Sequence, residues 1–154
     1  MDNLPKHEAS WQAYAALANE LLDLLVDTFG MPQLTYGFCG HSLRCTIKQR
    51  PSPGIAPALD QHAAYELNHL GKPICTRLGA AVDLIYTDQS SIMIGNWLAE
   101  NTPFDRLYLY GPDRPLHISY GPEHNRQIVL IRRLQGRRIP KIISLAQLKG
   151  VDRC

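Results

Sequence analysis

The chain has 154 residues and a formal net charge of +2, a size that fits one domain spanning 1–154 and needs neither disulfides nor a metal merely to fold. No apolar run approaches the ~20 residues of a membrane-spanning helix. The polar, acidic, proline-bearing start "MDNLPKHEAS" is wrong for a secretory signal. These features argue against a membrane protein. They lead us to expect a cytoplasmic one, bacterial or phage in type, with Cys39, Cys45, Cys75 and Cys154 as reduced thiols.

Residues 10–29 predict the first helix. Trp11, Tyr14, Leu17, Ala18, Leu21, Leu25 and Phe29 recur at helical spacing and form an apolar stripe. Ser10 is placed to cap its start, and Gly30 to end it in a left-handed conformation. "QLTYGF" (33–38) reads as a short strand. "HSLRCTIKQR" follows as a helical turn or two. "RPSPGIAP" (50–57) is a loop by its prolines and glycine. "ALDQHAAYELNHLG" (58–71) reads as a short helix ended by Gly71, and "ICTRLGAAVDLIY" as a turn running into a strand.

Residues 90–100 predict another helix, with Ile92, Met93, Trp97 and Leu98 inward. Then come three β-type runs: 106–111, 116–121 and 127–134. The short polar spacers between them predict a meander of antiparallel strands. Tyr108 and Tyr110 share one face of their strand, Leu107 and Leu109 the other. "SLAQLKG" closes as a helical turn. Helices first and strands later predict an α+β fold, with helices packed on one face of a small antiparallel sheet.

Charge is unevenly spread. Of the chain's 16 Lys and Arg, Arg126, Arg132, Arg133, Arg137, Arg138, Lys141, Lys149 and Arg153 lie beyond residue 125, against the single acid Asp152. A basic C-terminal segment of this kind either complements an acidic body or meets an anionic partner. Residues 126–141 are therefore a candidate nucleic-acid surface.

The order of segments carries a further signal. A helix leads to a "TYGF" strand and a loop-rich stretch. Then come Gly79-x-Ala81-x-Asp83, a helix bearing Trp97, a Phe104/Tyr108/Tyr110 strand, and a hairpin strand bearing His117. Over roughly residues 33–121 this resembles the zinc D-Ala-D-Ala carboxypeptidases and their Hedgehog-domain relatives. Their pattern is Ser-x-His-x-x-Gly-x-Ala-x-Asp, followed much later by a histidine on an antiparallel strand. The resemblance implies a peptidase-like hydrolase fold, zinc as cofactor and a peptide-like ligand, with Asp83 and His117 as metal ligands. The chain departs from the pattern at three places. Thr76 stands where the first zinc-binding histidine belongs, Ile74 where the serine belongs, and Arg114 where the catalytic glutamate belongs. Asp113 is one residue out of that register.

Catalytic zinc takes three protein ligands and leaves a fourth position for water. Asp83 and His117 make two. Cys75, next to the vacant position, and His62, in "LDQHAAYE", are the candidates for the third. Asp113 or Glu66 would have to serve as base. Our first expectation is therefore a diverged, catalytically incomplete pseudoenzyme whose cleft binds a ligand or a protein partner. An active metal hydrolase with a substituted third ligand is the second. If metal is absent, Arg77, Arg114, His117, Ser119, Asp83 and His62 would line a pocket for an anionic small molecule. Two weaker motifs compete: Cys39, His41 and Cys45 as a metal set, and His117-Ile118-Ser119 as half of a two-histidine phosphoesterase pattern.

Overall fold

A computed structural model describes residues 3–52, 54, 56 and 58–151. Asp152, Arg153 and Cys154 of the basic end, and Pro53, Ile55 and Pro57 of the proline-rich loop, lie outside the described residues. The fold is α+β. Six strands form one open, mostly antiparallel sheet in the order β1-β2-β4-β3-β5-β6. They are β1 (Gln33–Tyr36), β2 (Ala80–Ile85), β3 (Arg106–Leu109), β4 (Leu116–Tyr120), β5 (Gln127–Leu134) and β6 (Arg137–Ile143).

The N-terminal helical rod is α1 (Glu8–Leu17), a π-helical segment (Ala18–Leu22) and α2 (Asp23–Phe29). Its predicted stripe is real: Leu17, Leu21 and Leu25 are fully buried. Gly30, with φ +80° and its N–H on the Val26 carbonyl, ends it as expected. Trp11 does not join the stripe; it is half exposed, its indole N–H on the Pro5 carbonyl. Ser10 is not the cap either. It lies inside α1, buried, and donates its hydroxyl to Glu66 Oε1, which also accepts the N–H groups of Lys6 and His7. Glu66 thus takes up donors at the helix start from 56 residues away, where a negative charge also suits the helix dipole. Glu66 does not share the pocket that Asp83 and His117 line, so it is not placed to act as their base.

α3 (His41–Lys48), α4 (Ser91–Asn101) and α5 (Leu145–Val151) fall where the sequence suggests helices. Ser90 caps α4, accepting the Ile92 N–H. α4 buries Ile92, Ile94 and Leu98, with Met93 and Trp97 partly covered. Side-chain alternation gives the sheet two chemically distinct faces. Ala80, Val82, Leu84, Leu107, Leu109, Leu116, Ile118, Ile128 and Leu130 join the helices in one core. Of the residues between them in sequence, Asp83, Tyr108, Tyr110 and His117 face the other way and line an open cleft.

Three expectations fail locally. Residues 58–71 form only a 3-10 turn, Gln61–Ala63, rather than a helix. Side chains here bond nearby backbone and compete with helical pairing: Asp60 accepts the Ala56 N–H, and Asn68 accepts those of Leu70 and Lys72. Ala64, at φ +45°, then turns the chain out of helical register. The last strands are not a meander. β5 pairs in parallel with β3, because the 121–126 loop crosses the end of β3 and is tied there. Asp105 Oδ1 accepts both the backbone N–H and the side-chain amide of Asn125 at 2.8 Å. Finally, β6 is a strand the apolar pattern did not announce. It pairs with β5 through the Gln135-Gly136 turn and is exposed along all but its last residue.

Gly79 sets the register on which the site depends. Its φ is +106°, and a Cβ there would lie 2.0 Å from the Tyr120 carbonyl oxygen. Only glycine lets β2 start this close to the end of β4. From that contact the antiparallel ladder runs Ala80↔Tyr120 to Asp83↔His117. We expect Gly79→Ala to destabilise the fold by roughly 2–4 kcal/mol, read as a lower urea midpoint with unchanged slope.

Candidate functional site

The site is built from two strand neighbours and one turn. Asp83 of β2 and His117 of β4 are opposite in the ladder and point into the cleft. His62 comes from the 3-10 turn and leans over them. Gln61, the preceding residue, anchors that turn. Its side-chain amide donates to Asp105 Oδ2 at 3.0 Å and to the Leu78 carbonyl. The backbone of His62 is held as well: its carbonyl accepts the Cys39 N–H at 3.0 Å and lies 2.9 Å from the Tyr14 hydroxyl, which also reaches the Ala81 carbonyl. Burial raises the Tyr14 hydroxyl far above the usual phenol range, so it stays a donor.

Three ligand-type atoms converge. His62 Nε2 lies 3.2 Å from Asp83 Oδ1, His117 Nδ1 lies 2.9 Å from the same oxygen, and the two imidazole nitrogens are 3.2 Å apart. Among the described residues this is the group of histidine, cysteine and acidic side chains that could hold a metal ion. Both imidazoles are buried while the carboxylate keeps some exposure towards the cleft. Rings wall the histidines in: Tyr108 stacks on His117 at 4.9 Å and 17°, and Tyr36 meets His62 edge-on at 4.4 Å.

His62 Nδ1 sits 2.9 Å from the Gly37 carbonyl, which only accepts, so this nitrogen carries the proton. A neutral His62 therefore aims the Nε2 lone pair at Asp83 Oδ1, itself an acceptor. A backbone carbonyl on the far ring nitrogen is also the usual outer support of a metal-ligating histidine. His117 has no such support among the described residues: its Nε2 is buried with no hydrogen-bond partner there. A donor N–H at His117 Nδ1, shared between Asp83 Oδ1 and His62 Nε2, or a metal ion between the three atoms, would satisfy the arrangement.

Asp83 feels opposing influences. Burial pushes its carboxyl up, but hydrogen bonds and charge from His117 and His62 outweigh this and hold it down to about 2.

The cleft around the triad is about 450 Å³. Its polar wall includes Asp60 and Arg77; its apolar wall is Val129, Ile131, Pro140 and Ile142 from the β5–β6 hairpin. Arg77 donates to the Leu59 carbonyl and to the Tyr108 hydroxyl, so it braces the ring that stacks on His117. A smaller pocket of about 230 Å³ shares Asp83 and Tyr110 with the cleft and is lined by Arg114, Arg133 and Arg138.

The other predicted site residues are scattered. Cys75 is buried, its thiol 3.7 Å from the Ala58 carbonyl, and is not part of the triad. Burial raises that thiol above its ordinary range. Ser119 is fully buried and accepts the Arg106 N–H, serving the sheet. Asp113 is exposed on the β3–β4 turn and lines neither the cleft nor the smaller pocket. Cys39, His41 and Cys45 form no metal-type group among the described residues; His41 Nε2 lies 3.6 Å from the Cys45 sulfur alone. No helix among the described residues is long and apolar enough to cross a membrane. Sequence reasoning missed Asp60, although its place two residues before His62 was a usable signal, and it missed Arg133 and Arg138 as cleft-facing groups.

Comparison of the chain with known protein families, with curated proteins and with solved structures gives no match.

The depressed Asp83 carboxyl carries a signed consequence. Its stabilisation is complete above the ordinary carboxylate value near 3.8 and is lost as pH falls through about 2. Metal-free protein should lose roughly 2 kcal/mol over that interval relative to Asp83→Asn, measured by urea unfolding at closely spaced pH values.

Proposed function

We propose that the chain is a zinc-dependent hydrolase of peptidase-like type, with His62, Asp83 and His117 as ligands. One observation carries this reading. The three facing atoms form a nearly equilateral triangle with edges of 2.9–3.2 Å. An ion bound tetrahedrally at ~2.0–2.1 Å separates its ligands by roughly 3.3–3.4 Å, so one face of its coordination shell nearly fits. Two neutral imidazoles and one carboxylate are also a ligand set that suits zinc.

His62 supplies what the motif lacks at position 76. It reaches the site from 21 residues before Asp83, whereas the family's first histidine sits seven residues before its aspartate. A zinc ion held there would supply Lewis-acid chemistry and favour ionisation of water at neutral pH. The chain's own residues do the rest. Among the described residues Asp60 is the carboxylate of the cleft left over from the ligand set, and it would take the proton from the attacking water. Tyr108 and Tyr36 hold the imidazole planes and keep bulk water from the ligand nitrogens. The apolar hairpin wall would seat a hydrophobic part of the substrate.

A second reading keeps the metal and drops the turnover. It is favoured by Arg114 in the position of the family's glutamate and by the exposure of Asp113. The site would then be a metal-assisted binding cleft, as in the pseudoenzyme expectation.

Elemental analysis tests the metal that both readings share, and a hydrolysis assay separates them. Elemental analysis of protein purified without chelator should find one zinc per chain. His62→Ala and His117→Ala should each lose it, while Cys75→Ala keeps it. Zinc-free protein, or zinc retained by both histidine variants, removes the metal reading. Release of free amino acid from acylated dipeptides ending in D-Ala-D-Ala or L-amino acids tests hydrolysis. Asp60→Asn should keep its zinc and lose 10²–10⁴-fold in kcat. No turnover of any peptide by zinc-loaded protein favours the binding cleft.

A further inference from the structure

The β5–β6 hairpin runs past the rest of the sheet. β5 pairs with β3 only over residues 127–130, and from Ile131 to Leu134 its partner is β6 alone. On this projecting part Arg133 and Arg138 stand directly opposite each other. Like charges in that relation cost stability. Strand alternation puts both on the face that carries Ile131 and Pro140, which is the cleft face. Arg114, from the β3–β4 turn, comes to the same place. Its backbone is fixed: the Ser91 hydroxyl donates to its carbonyl at 2.6 Å. The guanidinium of Arg138 lies 5.9 Å from the centroid of the Tyr110 ring, at the border with the metal cleft.

The three arginines line one pocket in whose wall Asp83 is the single acid among the described residues. That acid is already engaged with His62 and His117. None of the three guanidinium groups has an ion pair among the described residues. The result is a strongly cationic recess whose wall includes a ligand of the proposed metal.

We propose that this recess is the anion subsite of the metal cleft: it holds a carboxylate or phosphate group of the same molecule whose reacting bond lies at His62, Asp83 and His117. The inference rests on the metal reading above and adds the substrate's charge to it. Planar guanidinium groups bind carboxylate and phosphate oxygens in pairs. An anion between Arg133 and Arg138 would also relieve their mutual repulsion. The substrate class is thus an anionic molecule with an apolar middle, the anion in the recess and the apolar part on Val129, Ile131 and Ile142.

The test uses the zinc-loaded full chain and hydroxamates, which bind zinc through one end. Three probes differ only in the tail: neutral methyl, carboxylate and phosphonate, on the same short aliphatic spacer. Calorimetric titration at low salt should show at least one anionic probe about tenfold or more tighter than the neutral one, and added KCl should shrink that advantage. A stronger carboxylate probe identifies a carboxylate substrate; a stronger phosphonate probe identifies a phosphate. The exposed-site double variant Arg133→Ser/Arg138→Ser should keep one zinc and its affinity for the neutral probe while losing the anionic preference. Equal affinity for neutral and anionic probes, or a preference that survives in the double variant, overturns the anion subsite alone. Absence of zinc overturns the metal reading and this inference with it.

Discussion

A single registration of two strands governs this molecule. β2 and β4 pair so that Asp83 lies opposite His117, and a slip of one residue would leave the two side chains on opposite faces of the sheet. Gly79 prevents that slip by its contact with the Tyr120 carbonyl, and Gly121 answers it from the other strand, where a Cβ would lie 2.4 Å from the Leu78 carbonyl. Two glycines at one end of the ladder therefore fix the position of two polar groups several residues away. The Gly-x-Ala-x-Asp spacing is a consequence of this geometry. The glycine permits the approach, Ala81 lies fully buried between, and the aspartate falls on the cleft face four residues along.

The buried polar groups around the site form a second layer of support. Asp105 gathers Asn125, Gln61 and Arg106, and so joins the crossover loop, the 3-10 turn and β3 at one carboxylate. Hydrogen bonds to a buried charge are worth more than neutral ones, and losing one partner leaves an expensive orphan. His62 inherits its position from this hub through Gln61. The histidine that completes the triad is thus set by an acid that never faces the cleft.

How much was legible in the sequence follows from how local each determinant is. The long helical stripe, β2 and the core alternation of β3 and β4 are short-range patterns, and they read correctly. Asp83 and His117 were legible as partners because each sits on a strand with a clear period. His62 was legible only as one of two candidates, since the turn that carries it is made by side-chain-to-backbone bonds that no periodicity announces. Glu66 and Ser10 look like a base and a cap in the sequence, and they bond each other across the fold instead. The parallel pairing of β5 with β3 was illegible because the tie that causes it, Asn125 on Asp105, joins residues 20 apart. β6 was hidden by its composition. Arginines and a proline on a solvated strand carry no apolar alternation.

Tyr14 ties the N-terminal rod to the polar cluster. It projects from the inner side of α1, and its hydroxyl reaches the carbonyls of His62 and Ala81, on the turn and the strand that supply two of the three clustered groups. The N-terminal rod and the polar cluster are therefore one cooperative opening unit rather than a scaffold with a site placed on it. Any ion that prefers the closed cluster would slow amide exchange along α1, far from its own ligands, because the helix cannot lift away without releasing the tyrosine that clasps both carbonyls.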